Sequence, residues 1–235
     1  MTDSGCYNSS GDPQWRRWFR LPRAHQMVTL NDQEVTEKNA RLIARTSEKK
    51  AESIVLEYDP ASDWTHRRMI SMIDDRCFLL VDRISGKAFG TLRQHFQFMP
   101  GDWLLDAHRM TARTMYGNDA NLIVKGTAVG GNLSLVQEEG WYSPVYMSKE
   151  PRPAFAFVRE KATDETVWFA TLLLPTPKTG QNWTARVEAG IPAEDGSLTV
   201  KLFLDQEHSY TVTLQADGTV NVNKNKAAGK EGEGW

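Results

Sequence analysis

The sequence is poor in cysteine and has no long apolar run. Its 235 residues include two cysteines, Cys6 and Cys77, which are too few for a disulfide framework. The two thiols could pair, but the interpretation we favour is two free cysteines, with Cys77 buried in a strand. A membrane-spanning helix needs a run of roughly eighteen apolar residues, and the sequence has no such run. We therefore expect no segment that spans a membrane and no membrane partner.

The chain also lacks an excess of either charge. Its formal net charge is −2, so the chain as a whole does not attract polyanions, no nucleic-acid partner is expected, and any acidic partner must bind a local patch. The N-terminal residues Met1–Ser10 are polar and lack the apolar core of a secretory signal peptide. This indicates either a cytosolic protein or a Met1 that is internal to a longer chain.

What the sequence does have is strand patterning. Apolar and polar residues alternate with a period near two in several segments, which is typical of an antiparallel sheet with one buried face. These segments are Glu52–Tyr58, Arg68–Ile73, Leu198–Leu204 and Ser209–Leu214. Two further runs, Cys77–Val81 and Val167–Leu174, are almost continuously apolar, which predicts central strands that are covered on both faces.

Turn residues separate these strands, and no segment keeps a helical stripe for three turns. The pair Asp217–Gly218 predicts the clearest hairpin, and Asp32–Arg45, with a weak helical pattern, is interpreted as a loop. We therefore expect an all-β fold without helices: a large antiparallel β-sandwich of about a dozen strands in two stacked sheets. It is expected to span residues 1–220, with a flexible tail at 221–235 that is rich in Lys, Gly, Glu and Ala.

The first thirty residues combine arginines with aromatic side chains. Guanidinium groups bind carboxylates and sulfates through paired hydrogen bonds, and aromatic rings stack on the apolar faces of sugars. The candidate ligand-binding residues are Arg16, Arg17, Arg20, Arg23, Trp15 and Trp18. The alternative is that the aromatic side chains close one end of the sandwich while the arginines are merely solvated, and composition alone does not separate the two.

Asp3 and His25 are candidate metal ligands. Imidazole and carboxylate together favour zinc, although a single histidine near a strand is more often a hydrogen-bonded structural residue. The other histidines lie in strand-like segments and are interpreted as sheet residues; they are His66, His95, His108 and His208. No nucleophile motif, phosphate-binding loop or Cys-x-x-Cys pair is present.

Several segments resemble the heparinase II/III family, and the heparan-sulfate lyase branch in particular. The most specific are Asp3–Tyr7, Ser9–Asp12, Trp18–Arg20 and Arg23–Leu30. Strand-like segments downstream fit as well, namely Phe78–Arg83 with Gly86, Gln94–Phe98, Gly140–Pro144 and Thr171–Pro175. The resemblance covers residues 2–177, and Phe19 and the pair Leu21–Pro22 depart from the family pattern.

The resemblance implies a function for a longer parent protein. In that family an N-terminal α/α toroid precedes a C-terminal β-sandwich, and members cleave uronate-containing polysaccharides such as heparan sulfate by β-elimination. Asp3 and His25 match an aspartate and a histidine that help to hold zinc, whereas the catalytic histidine and a further metal-binding histidine would lie upstream of Met1. The resemblance therefore implies a lyase fragment that is inactive alone, with an incomplete zinc site, an acidic polysaccharide and the missing toroid as partners, and a periplasmic or secreted parent. The alternative is a non-catalytic, polysaccharide-binding or structural sandwich.

Overall fold

The computed structural model describes residues 1–35, 40–117, 120–176 and 184–225. Two short helical segments precede the strands: an α-helix, α1 (Pro13–Trp18), and a 3-10 helix at Pro22–Ala24. The expectation of no helices was therefore wrong. The helix begins where the Asp12 carboxylate accepts hydrogen bonds from the Gln14 and Trp15 N–H groups, at 2.9 and 3.3 Å, and Pro13 fits the first helical turn.

Strands account for most of the described residues. In chain order they are β1 (Val28–Leu30), β2 (Arg41–Glu48), β3 (Ala51–Ala61), β4 (Trp64–Ile73), β5 (Cys77–Gly86), β6 (Gly90–Gln97), β7 (Trp103–Asp106), β8 (Thr111–Thr114), β9 (Asn121–Ala128), β10 (Ser134–Glu138), β11 (Trp141–Tyr142), β12 (Glu150–Pro151), β13 (Ala154–Lys161), β14 (Val167–Thr176), β15 (Arg186–Ala189), β16 (Leu198–Phe203), β17 (Ser209–Leu214) and β18 (Val220–Lys224). The all-β prediction is confirmed, with more strands than the dozen expected.

The strands form one wide sheet between two narrower ones. The central sheet has eight antiparallel strands in the order β2-β3-β4-β5-β14-β9-β8-β7, and four-stranded sheets have the orders β1-β6-β13-β10 and β15-β16-β17-β18. Strands β11 and β12 pair separately. The sandwich therefore has three layers rather than the two expected, and we call the two outer layers the β6 sheet and the β16 sheet.

Alternate residues of the central strands face the two outer layers. In β5, Leu79 and Val81 belong to the core beneath the β16 sheet, whereas Leu80 and Ile84 belong to the core beneath the β6 sheet. Strand β14 alternates in the same way, with Leu172 on the first side and Phe169 on the second. The prediction that these two runs are central strands covered on both faces is confirmed.

Several local expectations can be compared with the structure. The segment Asp32–Arg45 was interpreted as a loop, but β2 begins at Arg41 and pairs with β3; residues 36–39 lie outside the described residues. Strand β18 continues to Lys224, four residues past the expected end of the sandwich, and residues 226–235 of the expected tail are outside the described ranges. Cys6 and Cys77 are free, with Cys77 buried, as predicted. In the described parts of the chain, no helix is long and apolar enough to cross a membrane.

Candidate anion-binding site

Helix α1 separates the candidate arginines from the candidate aromatic residues. Side chains three and four positions apart share a face of a helix, so the aromatic residues lie on one face and most of the arginines on another. The aromatic face has Trp15, Trp18 and Phe19, and the other face has Arg16, Arg17 and Arg20. The sequence prediction grouped them as one surface, whereas the structure gives them different surroundings.

A pocket of about 750 Å³ lies beside the arginine face of α1. Its lining includes Arg16, Arg17, Arg20, His25, Met27, Glu34 and Tyr58. Arg17 donates two hydrogen bonds to the same oxygen of Glu34, at 2.8 and 3.0 Å. Arg16 and Arg20 are exposed and form no ion pair with another described residue. Within the described part of the chain, these two guanidinium groups can therefore bind an anionic ligand without breaking an existing pair.

Arg23 is turned away from this pocket. It is half-buried, does not line the pocket, and its Nε finds no hydrogen-bond acceptor within the described residues. The charge of Arg23 acts on Glu138 instead. Burial raises the pKa of the Glu138 carboxyl, but a hydrogen bond from His95 and the charges of His95, Arg23 and Arg93 hold that pKa below its usual value. The structure thus separates Arg23 from the other three candidates.

Trp15 and Trp18 pack in an aromatic cluster on the far face of the helix. The Trp15 ring meets Trp141 edge-on at a centroid distance of 5.1 Å, and Trp18 meets Phe19 at 4.9 Å. The Lys149 ammonium lies 4.0 Å from the Trp15 ring centroid, which is within cation–π range. Neither tryptophan lines the arginine pocket, so their packing corresponds to the alternative in which the aromatic residues close one end of the molecule.

Asp3 and His25 lie together, as the resemblance implied. The Nδ1 atom of His25 is 2.6 Å from Asp3 Oδ2, and its Nε2 atom is 3.2 Å from the carbonyl oxygen of Phe19. Partial burial raises the pKa of Asp3, but the hydrogen bonds from His25 and the Gly5 N–H lower it below its usual value overall. Among the described residues no third histidine, cysteine or carboxylate joins the pair. Since structural zinc sites have four ligands, these two residues do not make a zinc site by themselves.

Arg152 fixes the N-terminal segment that carries Asp3. It is 5% exposed, and its guanidinium donates to the carbonyl oxygens of Phe98 at 2.6 Å, Thr2 at 2.9 Å and Asp3 at 3.3 Å. All these acceptors are neutral, so burial lowers the pKa of Arg152, while Asp3 and nearby tyrosines act in the opposite direction. This arginine joins the first residues of the chain to the β6 sheet.

Another part of the pocket lining belongs to a series of polar side chains that are joined by hydrogen bonds and continue into the protein interior. Tyr58 lines the pocket, and its hydroxyl is 3.0 Å from His66 Nδ1. The other ring nitrogen, Nε2, is 2.6 Å from Asp82 Oδ1. Asp82 is ionised, so Nε2 carries the proton that it donates to the carboxylate, and Nδ1 is left to accept the tyrosine O–H. The phenol is thereby held at a fixed orientation beside Arg16 and Arg20.

Asp82 is the centre of this buried cluster. It is 0% exposed, and it also accepts hydrogen bonds from Arg68 at 2.6 and 3.0 Å and from Gln94 at 2.6 Å. Gln94 belongs to β6 and accepts a bond from Thr171 of β14 at 2.9 Å, so the cluster joins the central sheet to the β6 sheet. Burial raises the pKa of Asp82, but the charge of Arg68 and the bonds from His66 and Arg68 hold it far below its usual value.

Sequence reasoning missed Tyr58 as a site residue and interpreted His66 only as a sheet residue. The two are directly opposite in the β3–β4 pairing, and Arg68 is opposite Asp82 in the β4–β5 pairing. The available signal was the presence of charged and polar residues at inward positions of strands whose neighbours are apolar. The remaining histidines are not part of the pocket: His95 is buried 2.6 Å from Glu138, His208 pairs with Asp205 in a turn, and His108 is exposed.

Comparisons with known proteins agree with this fold and with the resemblance. The heparin-sulfate lyase of Pedobacter heparinus is 27% identical over 208 residues, which cover 86% of this chain and 31% of that protein. The heparin-sulfate lyase of Bacteroides thetaiotaomicron is 26% identical over 225 residues, or 90% of this chain and 31% of that one. The crystal structure of heparan sulfate lyase HepC from Pedobacter heparinus superposes with a TM-score of 0.78 at 22% identity, over 98% of this chain and 35% of that one.

The chain therefore spans about a third of the length of these relatives. The family model described as "Heparinase II/III-like, C-terminal" matches residues 1–229, nearly the whole chain. The chain belongs to the heparinase II/III-like family and has that family's C-terminal domain.

Proposed function

We propose that this domain is part of a polysaccharide lyase that cleaves a uronate-containing glycosaminoglycan such as heparan sulfate by β-elimination. The relatives that match it are heparin-sulfate lyases, and the observation that carries the proposal is the pocket beside α1. Arg16 and Arg20, which form no ion pair with another described residue, line it together with the fixed phenol of Tyr58. An acidic sugar chain needs this combination of cations and hydrogen-bonding groups.

The chemistry assigns a binding role to these side chains. Guanidinium groups bind the carboxylate or sulfate groups of the sugar in bidentate fashion, and a neutralised uronate carboxylate makes the C5 proton more acidic. A base then removes that proton and an acid protonates the departing glycosidic oxygen. No base or acid is assigned within this chain, and we propose that both come from a toroid domain encoded upstream in the parent protein.

Two experiments test this function. Mixing the chain alone with heparan sulfate should give no new ultraviolet absorbance from an unsaturated uronate, whereas the full parent protein should give this absorbance. Formation of unsaturated product by the isolated chain would refute the proposal that the base and the acid come from another domain. Titration of the chain with a size-defined heparan sulfate oligosaccharide should show binding that weakens with salt. Arg16→Gln/Arg20→Gln should weaken it several-fold, and Arg45→Gln/Arg76→Gln, which removes two arginines outside the pocket, is the matched control.

A second candidate is a non-catalytic module that binds an acidic polysaccharide. The packing of Trp15 against Trp141 and Lys149 gives these rings a structural role, which leaves the arginines of the pocket beside α1 to bind the ligand in this candidate. Under this candidate the oligosaccharide binds but the full parent protein releases no unsaturated product.

We further propose that Asp3 and His25 are two of the ligands of a zinc ion whose other ligands lie upstream in the parent, a periplasmic or secreted protein. The proximity of the two side chains supports this. Competition with a chelating dye should show weak zinc binding by this chain that His25→Ala removes. Equal zinc binding by His25→Ala and the unmodified chain would refute the assignment.

A further inference from the structure

A second pocket lies at the other edge of the central sheet. It has a volume of about 620 Å³, and four of its lining residues are cationic: Arg109, Arg113, Lys125 and Arg186. Asp106 is the single carboxylate among the described residues that line it. This is a local excess of positive charge on a chain whose net charge is −2. We call this pocket the β8 groove.

The groove exists because the central sheet is wider than the layer above it. Ile123 of β9 lies in the core beneath the β16 sheet, and Arg113 of β8 is its direct cross-strand partner, on the same face. Strand β15, the edge of the β16 sheet, packs over β9 and β14. Strands β8 and β7 continue beyond that edge, and Leu104 of β7 is 43% exposed as a result. The groove is the step between the edge strand and the uncovered face.

Register brings the cations of the groove floor together. Thr111 pairs with Lys125 and Arg113 with Ile123, and same-face neighbours on adjacent strands are about 5 Å apart. Lys125 donates to the Arg109 carbonyl at 2.7 Å and to Thr111 Oγ1 at 3.1 Å. Burial lowers the pKa of the Lys125 ammonium, and the charge of Arg109 adds to this while Asp106 opposes it. A bound anion would act in the same direction as Asp106.

The arginines of the groove are weakly paired. Arg109 is 82% exposed, and its guanidinium is 3.8 Å from Asp106, an exposed contact of little energetic weight. Arg186, on the wall, contacts Glu188 of its own strand at 3.2 Å and is 59% exposed. Arg113 forms no ion pair with any described residue, and its Nε is buried without an acceptor among them. Buried polar atoms are normally hydrogen-bonded, and the half-buried Arg113 side chain has no carboxylate partner among the described residues.

We propose that the β8 groove is a second binding site for the acidic polysaccharide, separate from the pocket beside α1. The two are at opposite edges of the central sheet and on opposite faces: Tyr58 points toward the β6 sheet, with His66 and Asp82, whereas the groove is on the side of the β16 sheet. Its apolar floor of Leu104 and Ile123 lies between the cations, which suits a linear glycan with alternating charged groups and apolar ring faces. None of the described residues that line the groove is aromatic.

This inference rests on the proposed function for the class of ligand, and stoichiometry tests it separately. The unmodified 235-residue chain should bind two molecules of a short heparan sulfate oligosaccharide in isothermal titration calorimetry at low salt. Arg109→Gln/Arg113→Gln should leave one, the molecule beside α1, and Arg16→Gln/Arg20→Gln should leave the other. Arg113→Lys keeps the charge and should retain two sites with several-fold weaker binding, since lysine lacks the planar fork of arginine.

The outcomes separate the two proposals. If Arg109→Gln/Arg113→Gln binds like the unmodified chain while Arg16→Gln/Arg20→Gln binds nothing, the groove is not a glycan site and the proposed function stands. If neither the unmodified chain nor any variant binds the oligosaccharide, the groove proposal and the proposed function both fail. If single-stranded DNA of equal charge fills the groove as tightly, the groove is a general polyanion patch and the glycan assignment is wrong. Thermal unfolding of each variant establishes that the fold is intact before binding is compared.

Discussion

The two faces of the central sheet differ in chemistry, although the same strands supply both. Toward the β16 sheet, the middle of β5 and of β14 presents apolar side chains such as Leu79, Val81 and Leu172, and Arg83 near the end of β5 lies over the Trp168 ring. Toward the β6 sheet, the alternate positions of the same strands include Asp82 and Thr171, both 0% exposed. Both faces are closed to water, so the difference lies in what the buried side chains do.

The apolar face stabilises the domain without directional preference, whereas the polar cluster fixes orientation. Hydrophobic burial scales with area and has no preferred geometry, but Asp82 is satisfied only when His66, Arg68 and Gln94 all point at it. Burying such a cluster contributes little net stability, and removing one charged member leaves another uncompensated. The cluster also connects to the pocket beside α1 through Tyr58 and through Arg68, which donates to the Gln26 carbonyl next to His25.

The largest effect should come from Asp82→Asn. The amide keeps the shape but leaves the Arg68 guanidinium, 15% exposed, without its counter-charge, so we expect a loss of about 3–5 kcal/mol in the free energy of unfolding. Urea denaturation measures it. Asp75→Asn, on the exposed β4–β5 turn, removes the same charge and should stay within about 0.5 kcal/mol. A near-neutral Asp82→Asn would mean that the cluster does not hold a buried charge.

Leu79→Ala tests the apolar face of the same strand. Leu79 is 0% exposed, and its truncation should cost about 2–4 kcal/mol from lost burial and the cavity left behind. The pH dependence distinguishes the two faces. The loss in the free energy of unfolding caused by Leu79→Ala should be the same at neutral and at mildly acidic pH. A pH-dependent loss would show that the two faces are coupled.

His66→Gln should change how stability depends on pH. Burial lowers the pKa of His66, Asp82 acts in the opposite direction, and Arg68 lowers it further. Below the usual histidine pKa of about 6.5, His66 binds a proton in the unfolded chain but stays neutral in the folded chain. Stability therefore falls as the pH drops from about 6.5 toward the lower pKa that His66 has in the folded chain. The slope from one such group is at most about 1.4 kcal/mol per pH unit. Stability from the lowered pKa of Asp82 is present above that group's unfolded value of about 3.9 and is lost only at lower pH.

Denaturation at about pH 7 and about pH 5 measures this slope. It should be smaller in His66→Gln than in the unmodified chain, and unchanged in His108→Gln, which alters an exposed histidine. An identical slope in all three proteins would contradict this, because it would mean that His66 binds protons equally in the folded and unfolded chains.

The sequence predicts the apolar face better than the polar one. A period of two and two uninterrupted apolar runs are local patterns, and they correctly identify β5 and β14 as central strands. The third layer was missed because alternation shows that a face is buried without showing which sheet covers it. The contacts of Asp82 depend on the pairing of β4 with β5 and on the packing of β6, which no local pattern specifies.

The candidate site was predicted in part for the same reason. Composition drew attention to Arg16, Arg20 and Trp15, but six residues are too short for the three-turn stripe by which a helix is usually identified, so their division between two faces was not foreseen. The signal that could have found α1 was the Asp12–Pro13 start. Tyr58 enters the pocket only through the tertiary packing of β3 beside the N-terminal segment.

Tyr58→Phe should give the smallest effect, and it tests whether the polar cluster ends at the pocket. Removing the hydroxyl leaves His66 Nδ1, now 3.0 Å from it, without a donor, and a single such hydrogen bond contributes about 1 kcal/mol. Tyr146→Phe, a change to a 63% exposed side chain, should have no measurable effect. If Tyr58→Phe is as stable as the unmodified chain yet binds the oligosaccharide more weakly, the phenol serves the ligand rather than the cluster. If it loses stability and binding together, the cluster positions the phenol, and the polar face of the central sheet extends into the pocket.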